Sequence, residues 1–328
     1  MKIMNRTIKA IFTVLIFALC SGNSFSQKTM NDVIASYNSA IQAQQSGNLE
    51  AALDSFKSCV AIATELGEEA DDLRIQAEGQ IPVINYEIGR KYASEKNYDM
   101  AIKQFTETLD IAKVYGTEDD VNKVTNALGQ VYYIQATTFY KEEKFSETLE
   151  MLNKSLEYLP GNSKALYIMA LTYKGMDNEE KVAEAARNAA DAAKAGNDNK
   201  LYEGSLKIGR DYYLLKADGA KNAKKYDTAI KYLQTSLEFD GSNASTYYLM
   251  TQIYNTQKMW DNAISAANKA LEFEKPEPVD QAKIYYEIGN AYKEKGENDK
   301  ACEAFKKAAV GAFKESSDYM IQHVLKCE

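Results

Sequence analysis

The segment Tyr86-Glu-Ile-Gly-Arg-Lys-Tyr92 returns as Tyr286-Glu-Ile-Gly-Asn-Ala-Tyr292, and its centre returns again as Lys207-Ile-Gly-Arg-Asp-Tyr212. Twelve residues beyond Gly89 stands Ala101, followed by Phe105. Twelve beyond Gly289 stands Ala301, followed by Phe305. Residues at i, i+3, i+4 and i+7 share one face of a helix. A small residue at a fixed point lets a second, antiparallel helix approach, and a large residue four further on fills the gap beside it.

Searching outward with this pattern finds seven units. The opening small residue is Ala40, Gly89, Ala136, Ala170, Gly209, Thr251 and Gly289. Its partner in the second helix is Ala52, Ala101, Thr148, Val182, Ala229, Ala263 and Ala301. Gly47, Asn97 and Gly296 mark turns between paired helices. Gly67 and Gly116 are natural helix stops, and the acidic runs after them suit helix starts. Pro82 belongs at or near a helix start; elsewhere it kinks the helix.

The pattern resembles the tetratricopeptide repeat family, whose units are helix–turn–helix hairpins of about 34 residues. The resemblance runs from about residue 30 to about residue 312, and Pro160 stands where that family commonly ends a unit. It implies an all-α fold: a right-handed α-α superhelix, or solenoid, of about seven tetratricopeptide-like hairpins. The opening residues are spaced by 49, 47, 34, 39, 42 and 38 residues, so several helices must be longer than the family's norm. In the fifth unit eight extra residues are expected between Tyr212 and Tyr226, close to two helical turns. Residues 27–312 are assigned to the repeats. Residues 313–328 are assigned to a capping helix with Tyr319, Met320, Val324 and Leu325 along its inner stripe, because a solenoid's last unit exposes an apolar face.

Residues 1–26 have the layout of a secretory signal peptide: Lys2, Arg6 and Lys9, then the apolar run Ala10–Leu19, then small and polar residues, with cleavage expected after Ser26. Leu19 precedes Cys20 where a lipid-attachment site has a small residue, so soluble export is expected ahead of a lipid on Cys20. Periplasmic or outer-membrane localisation follows, with membrane association only through a partner or that lipid. Loss of the leader moves the formal net charge from −8 to −11. Such an acidic chain is unsuited to nucleic acid.

Catalytic constellations are missing from the sequence. His323 is the single histidine, and no phosphate loop, HExxH or CxxC occurs. The expectation is a non-enzyme without cofactor or metal. Cys302, His323 and Cys327 offer three metal ligands and no fourth. A Cys302–Cys327 disulfide is the sharper reading in an exported chain, and Cys59 reads as an inert core residue.

In the related family the concave groove lined by first helices binds extended peptides. The resemblance therefore implies a protein or peptide partner. Three residues before the opening small residue stand Tyr37, Tyr86, Tyr133, Tyr167, Tyr248 and Tyr286, broken in the fifth unit by Leu206. Tyrosine suits a half-wet groove, although at this point of the motif it also packs between helices. The variable positions beside it are Arg90, Arg210, Gln252 and Asn290, then Tyr140, Lys174, Asn255 and Lys293. The alternative to a protein-binding scaffold is a carbohydrate or cell-wall glycan module in which the tyrosines stack on sugar rings.

Overall fold

The computed structural model describes residues 28–328; the signal peptide expected over residues 1–26, with Cys20, lies outside the described residues. Those residues form helices and turns, with no strand among them. Fourteen of the helices make seven hairpins: α1 (Met30–Gln45) with α2 (Leu49–Leu66), α3 (Asp71–Ser94) with α4 (Tyr98–Tyr115), α5 (Glu118–Lys141) with α6 (Phe145–Tyr158), and α7 (Ser163–Gly175) with α8 (Glu179–Ala195). α9 (Asn199–Asn222) with α10 (Tyr226–Phe239), α11 (Ala244–Thr256) with α12 (Trp260–Phe273), and α13 (Pro278–Lys295) with α14 (Asn298–Ala308) complete the series. The short α15 (Lys314–Tyr319) and a π-helix (Met320–Leu325) follow.

The chain divides into two compact units, one ending at Ile88 and the other beginning at Gly89, so the boundary falls inside α3. In the first unit α1 and α2 close on Ala40, Ala52 and Phe56, all fully buried. Tyr37 meets Phe56 edge-on at 5.7 Å. In the second unit successive hairpins stack. α7, α9, α11 and α13 each touch the first helix of the preceding hairpin, and α8, α10 and α12 each touch the first helix of the next.

The small positions are small because a ring lies against them. A Cβ on Gly89 would stand 2.7 Å from Phe105, and one on Gly289 would stand 2.8 Å from Phe305. Phe105 and Phe305 are buried, so hydrophobic burial and close backbone approach are one device.

The fifth hairpin has a different register from the one read in the sequence. Its turn lies at Lys224, and the residue facing Ala229 is Ala217, not Gly209. Ala217 to Ala229 is the same twelve-residue interval found in every other hairpin. The extra eight residues extend the start of α9, which has 24 residues like α3 and α5. The Lys207–Tyr212 copy therefore sits just over two turns upstream of the hairpin's own small position. There Gly209 makes room for Phe239 at the end of α10. The extended α5 repeats the arrangement: Gly129 makes room for Leu159, while Ser155 donates to the Gly129 carbonyl at 2.8 Å as Ser236 donates to the Arg210 carbonyl at 3.1 Å.

Glycine is the exception in the turns. The left-handed turn residue is Gly47 and Gly296 in two hairpins, and Lys96, Glu143, Asp177, Lys224 and Lys258 in the other five. Asn97 follows the turn as an N-cap, its side chain accepting from Met100 N, as Asn48 accepts from Ala51 N. The acidic starts read in the sequence are present: Thr117 and Asp120 form a capping box on α5. Pro82 lies inside α3 rather than at its start. Lacking an N–H, it leaves the Glu78 carbonyl without its helical donor.

After α14 the chain turns back on itself. Met320 joins Ala301 and Phe305 in a buried cluster, with Ile321 and Leu325 packed against it. Tyr319 and Val324, placed on the same inner stripe by the sequence reading, are instead 59% and 45% exposed. A π-turn replaces the regular helix there, and the 3.6-residue periodicity behind that stripe does not hold. Cys302 on α14 is bonded to Cys327, with Cα atoms 5.7 Å apart.

Candidate functional site

Five of the groove residues read in the sequence come together on α11 and α13, the first helices of the last two hairpins. Gln252, Asn255, Asn290 and Lys293 line an open cleft of about 680 Å³ with Lys221, Lys224, Trp260 and Glu287. Tyr248 and Gln252 line an adjoining cleft of about 450 Å³ with Leu214, Leu215, Leu249 and Lys221. Lys221 and Gln252 belong to both walls, so the two spaces adjoin along α9 and α11.

The walls are cross-braced by amides. Lys221 Nζ donates to Gln252 Oε1 at 3.2 Å and pairs with Asp218. Gln252 Nε2 donates to the Tyr248 hydroxyl at 3.0 Å. Asn255 Nδ2 donates to the Glu287 carbonyl at 3.1 Å and to its carboxylate at 2.8 Å, tying α11 to α13. Asn255 Oδ1 is buried without a hydrogen-bond partner. A buried acceptor without a donor carries a desolvation cost. Lys293 is paired with its neighbour Glu294. Burial pushes the Tyr248 hydroxyl up, reinforced by the Glu287 charge, so the phenol stays protonated at neutral pH.

Lys221, Leu214 and Trp260 were not among the sequence-derived groove residues. Lys221 and Leu214 were missed because the fifth register was placed at Gly209. Counting from Ala217 makes Leu214 the residue where the other units carry tyrosine. It makes Lys221 the counterpart of Tyr140, Lys174, Asn255 and Lys293. The signal was present in the fixed twelve-residue interval back from Ala229.

The remaining sequence-derived residues lie elsewhere. Arg210 holds Asp211 at 2.8 Å and Asp240 at 3.1 Å, bracing the link between α10 and α11; it is not part of the cleft. Leu206 packs on the cluster around Ile208 and Phe239. Arg90 and Lys174 are exposed, and Tyr86 is half-buried. Tyr140 lies 6.2 Å from Phe145.

The tyrosine series is mostly packing between hairpins. Tyr133 lies on the cluster of Ala136, Leu152 and Ala165. Tyr167 lies on the cluster linking Ala170 to Tyr212, and Tyr248 on the cluster of Ala267 and Ile284. Tyr286 is edge-on to Phe305 and tilted to Phe313, both at 5.4 Å. Sugar recognition of the kind considered above needs open ring faces, and these rings give much of their area to neighbouring hairpins.

His323 is exposed, with its ring 5.3 Å from Tyr319. Among the described residues no group of three or more His, Cys, Asp or Glu is placed to hold a metal ion. No helix among them is long and apolar enough to cross a membrane.

Stacked hairpins, each closed by two small residues twelve positions apart, define an α-helical repeat protein. Residues 282–309, covering most of α13 and α14, match the tetratricopeptide repeat family. No curated protein matches the chain in sequence. Among solved structures it is similar to the MamA protein, at 21% identity over 60% of this chain and 95% of that one, with a TM-score of 0.33. YrrB, described as a tetratricopeptide-repeat protein with an unusual peptide-binding site, shares 21% identity over 60% of this chain and 88% of that one, with a TM-score of 0.30. A tetratricopeptide repeat protein from Parabacteroides merdae shares 14% identity over 91% of this chain and all of that one, with a TM-score of 0.29.

Proposed function

We propose that the protein is a non-catalytic interaction scaffold that holds an extended segment of a protein partner on the face of α9, α11 and α13. The observation that carries this reading is the cleft shared by Lys221, Gln252, Asn255 and Lys293. Its walls offer amides and cations, a mixture suited to a peptide backbone and its polar side chains. The adjoining space beside Leu214, Leu215 and Leu249 suits an apolar side chain of the same segment.

Export to the bacterial envelope accompanies this reading. The basic head and apolar run before Ser26 support it. The Cys302–Cys327 bond also suits an oxidising compartment. Periplasmic and outer-membrane-associated placement are both compatible with it.

The test is crosslinking and affinity capture from the native envelope with the wild-type chain and with Lys221→Glu/Lys293→Glu. Both positions are on cleft walls outside the buried core, so the variant should fold. Loss of one defined partner is the expected result. An identical partner set from a folded variant would remove the cleft from the function.

A further inference from the structure

Of the last sixteen residues, Met320 is the one buried apolar side chain over the final hairpin, with Phe313, Ile321 and Leu325 packed beside it but only partly buried. α15 and the π-helix each have six residues, far below the length at which a helix is stable alone. Ser317 and Met320 are the side chains these two elements bury. The Ser317 hydroxyl is buried without a hydrogen-bond partner, which counts against the covered state. A Lys306 contact to the Glu328 carbonyl holds the very end, at the surface. Beneath the cover lie Ala301 and Phe305, both fully buried.

Added to this limited packing is one covalent tie. Cys302 and Cys327 are 25 residues apart in sequence and directly bonded. Both are half-buried rather than enclosed, so a thiol in solution can reach the bond. Cys59, the other described cysteine, is buried in the first unit, where desolvation pushes its thiol up and makes it a poor competitor for exchange.

We propose that the Cys302–Cys327 bond is a redox latch on the terminal cover. Oxidised, it holds α15 and the π-helix over Phe305. Reduction by a dithiol releases them and opens the apolar end of the hairpin array. The exchange balances without a further reactant. One thiolate of the dithiol attacks a protein sulfur, and its second thiolate resolves the mixed disulfide. Two electrons pass to the protein, Cys302 and Cys327 each take a proton, and the dithiol leaves as a disulfide.

Hydrogen exchange of the full chain, followed by mass spectrometry before and after dithiothreitol and again after reoxidation, tests the latch. Alkylation is used to count the thiols. The expected result is exchange at least about tenfold faster across residues 314–327 on reduction, unchanged exchange in α11, and recovery on reoxidation. Cys302→Ser/Cys327→Ser should reproduce the reduced pattern without a reductant. Unchanged protection of 314–327 with both thiols alkylated would overturn the proposal. So would loss of protection throughout the chain, or free thiols at both positions in protein isolated from the envelope.

Discussion

Gly209 lies directly beneath the ring of Phe239: a Cβ at Gly209 would stand 2.5 Å from it. Ten residues along the same helix, Gly219 has open space where its Cβ would be. Both are helical, so alanine should gain about 0.5–1 kcal/mol at either from backbone entropy alone. At Gly209 that gain is outweighed by overpacking, which costs about 1–3 kcal/mol. Gly209→Ala should therefore lower the thermal midpoint and Gly219→Ala should raise it. Calorimetry of the two variants checks the contrast, and a stabilised Gly209→Ala would show that the ring is not held there.

Lys258 and Glu143 occupy the left-handed turn position filled by glycine at Gly47 and Gly296. A side chain in that conformation costs about 1 kcal/mol relative to glycine. Lys258→Gly and Glu143→Gly should each stabilise the chain by about 0.5–1 kcal/mol, less the added freedom of the unfolded state. Chemical denaturation should show a higher midpoint with an unchanged slope.

Three phenols meet the turn between α7 and α8. Tyr212 donates to Asp177 at 2.8 Å, Tyr213 to the Glu179 carbonyl at 2.8 Å, and Tyr232 to the Glu179 carboxylate at 2.8 Å. The Glu179 hydrogen bond, aided by burial, pushes the Tyr232 hydroxyl up to about 12. A folded value above the unfolded value of about 10 means that the folded state keeps its proton longer. That stability is fully present below pH 10 and is lost as pH rises from about 10 to about 12. Tyr232→Phe should flatten the decline over that window. It should also cost about 1 kcal/mol at neutral pH for the lost bond, somewhat less because the pair is partly exposed. A pH series of urea melts on both chains reads the effect.

At the acid end the same turn behaves in the opposite sense. Hydrogen bonds from Lys216 and Tyr212 hold the Asp177 carboxyl below its ordinary value. Its contribution is present above the ordinary carboxylate range and is lost as pH falls through it. Asp177→Asn should remove that acid sensitivity, measurable as a smaller drop in the thermal midpoint between pH 5 and pH 3 than in the wild type.

The repeat architecture was legible because hairpin closure fixes a sequence interval. Ala40 to Ala52 and Gly289 to Ala301 are both twelve residues, and the structure pairs them. The fifth register was misread because Lys207–Tyr212 resembles the Tyr86–Tyr92 segment on one helix face, while the decisive spacing runs across the turn from Ala217 to Ala229. Similarity along a helix reports which face is apolar, not which turn of a long helix meets its partner. Arg210 illustrates the other limit. Its charge suggested a ligand, but Asp240 thirty residues away, brought close by folding, takes that charge up.

Leu214 gives the most direct functional test. Where the third, fourth and sixth hairpins carry Tyr133, Tyr167 and Tyr248 packed toward the next hairpin, Leu214 leaves open space bordered by Leu215, Tyr248 and Leu249. Leu215 is 71% exposed there, an apolar side chain at the mouth of an apolar space, as at the centre of a binding surface. Leu214→Tyr places in the fifth hairpin the residue its neighbours already accommodate, so it should shift stability by no more than about 1 kcal/mol. It should also fill the space and block an incoming side chain. Capture of the wild-type partner should be lost while the circular dichroism spectrum and melting curve stay close to those of the wild type. Partner capture that survives Leu214→Tyr but not Lys221→Glu/Lys293→Glu would confine binding to the polar cleft; survival with both would place it on another face.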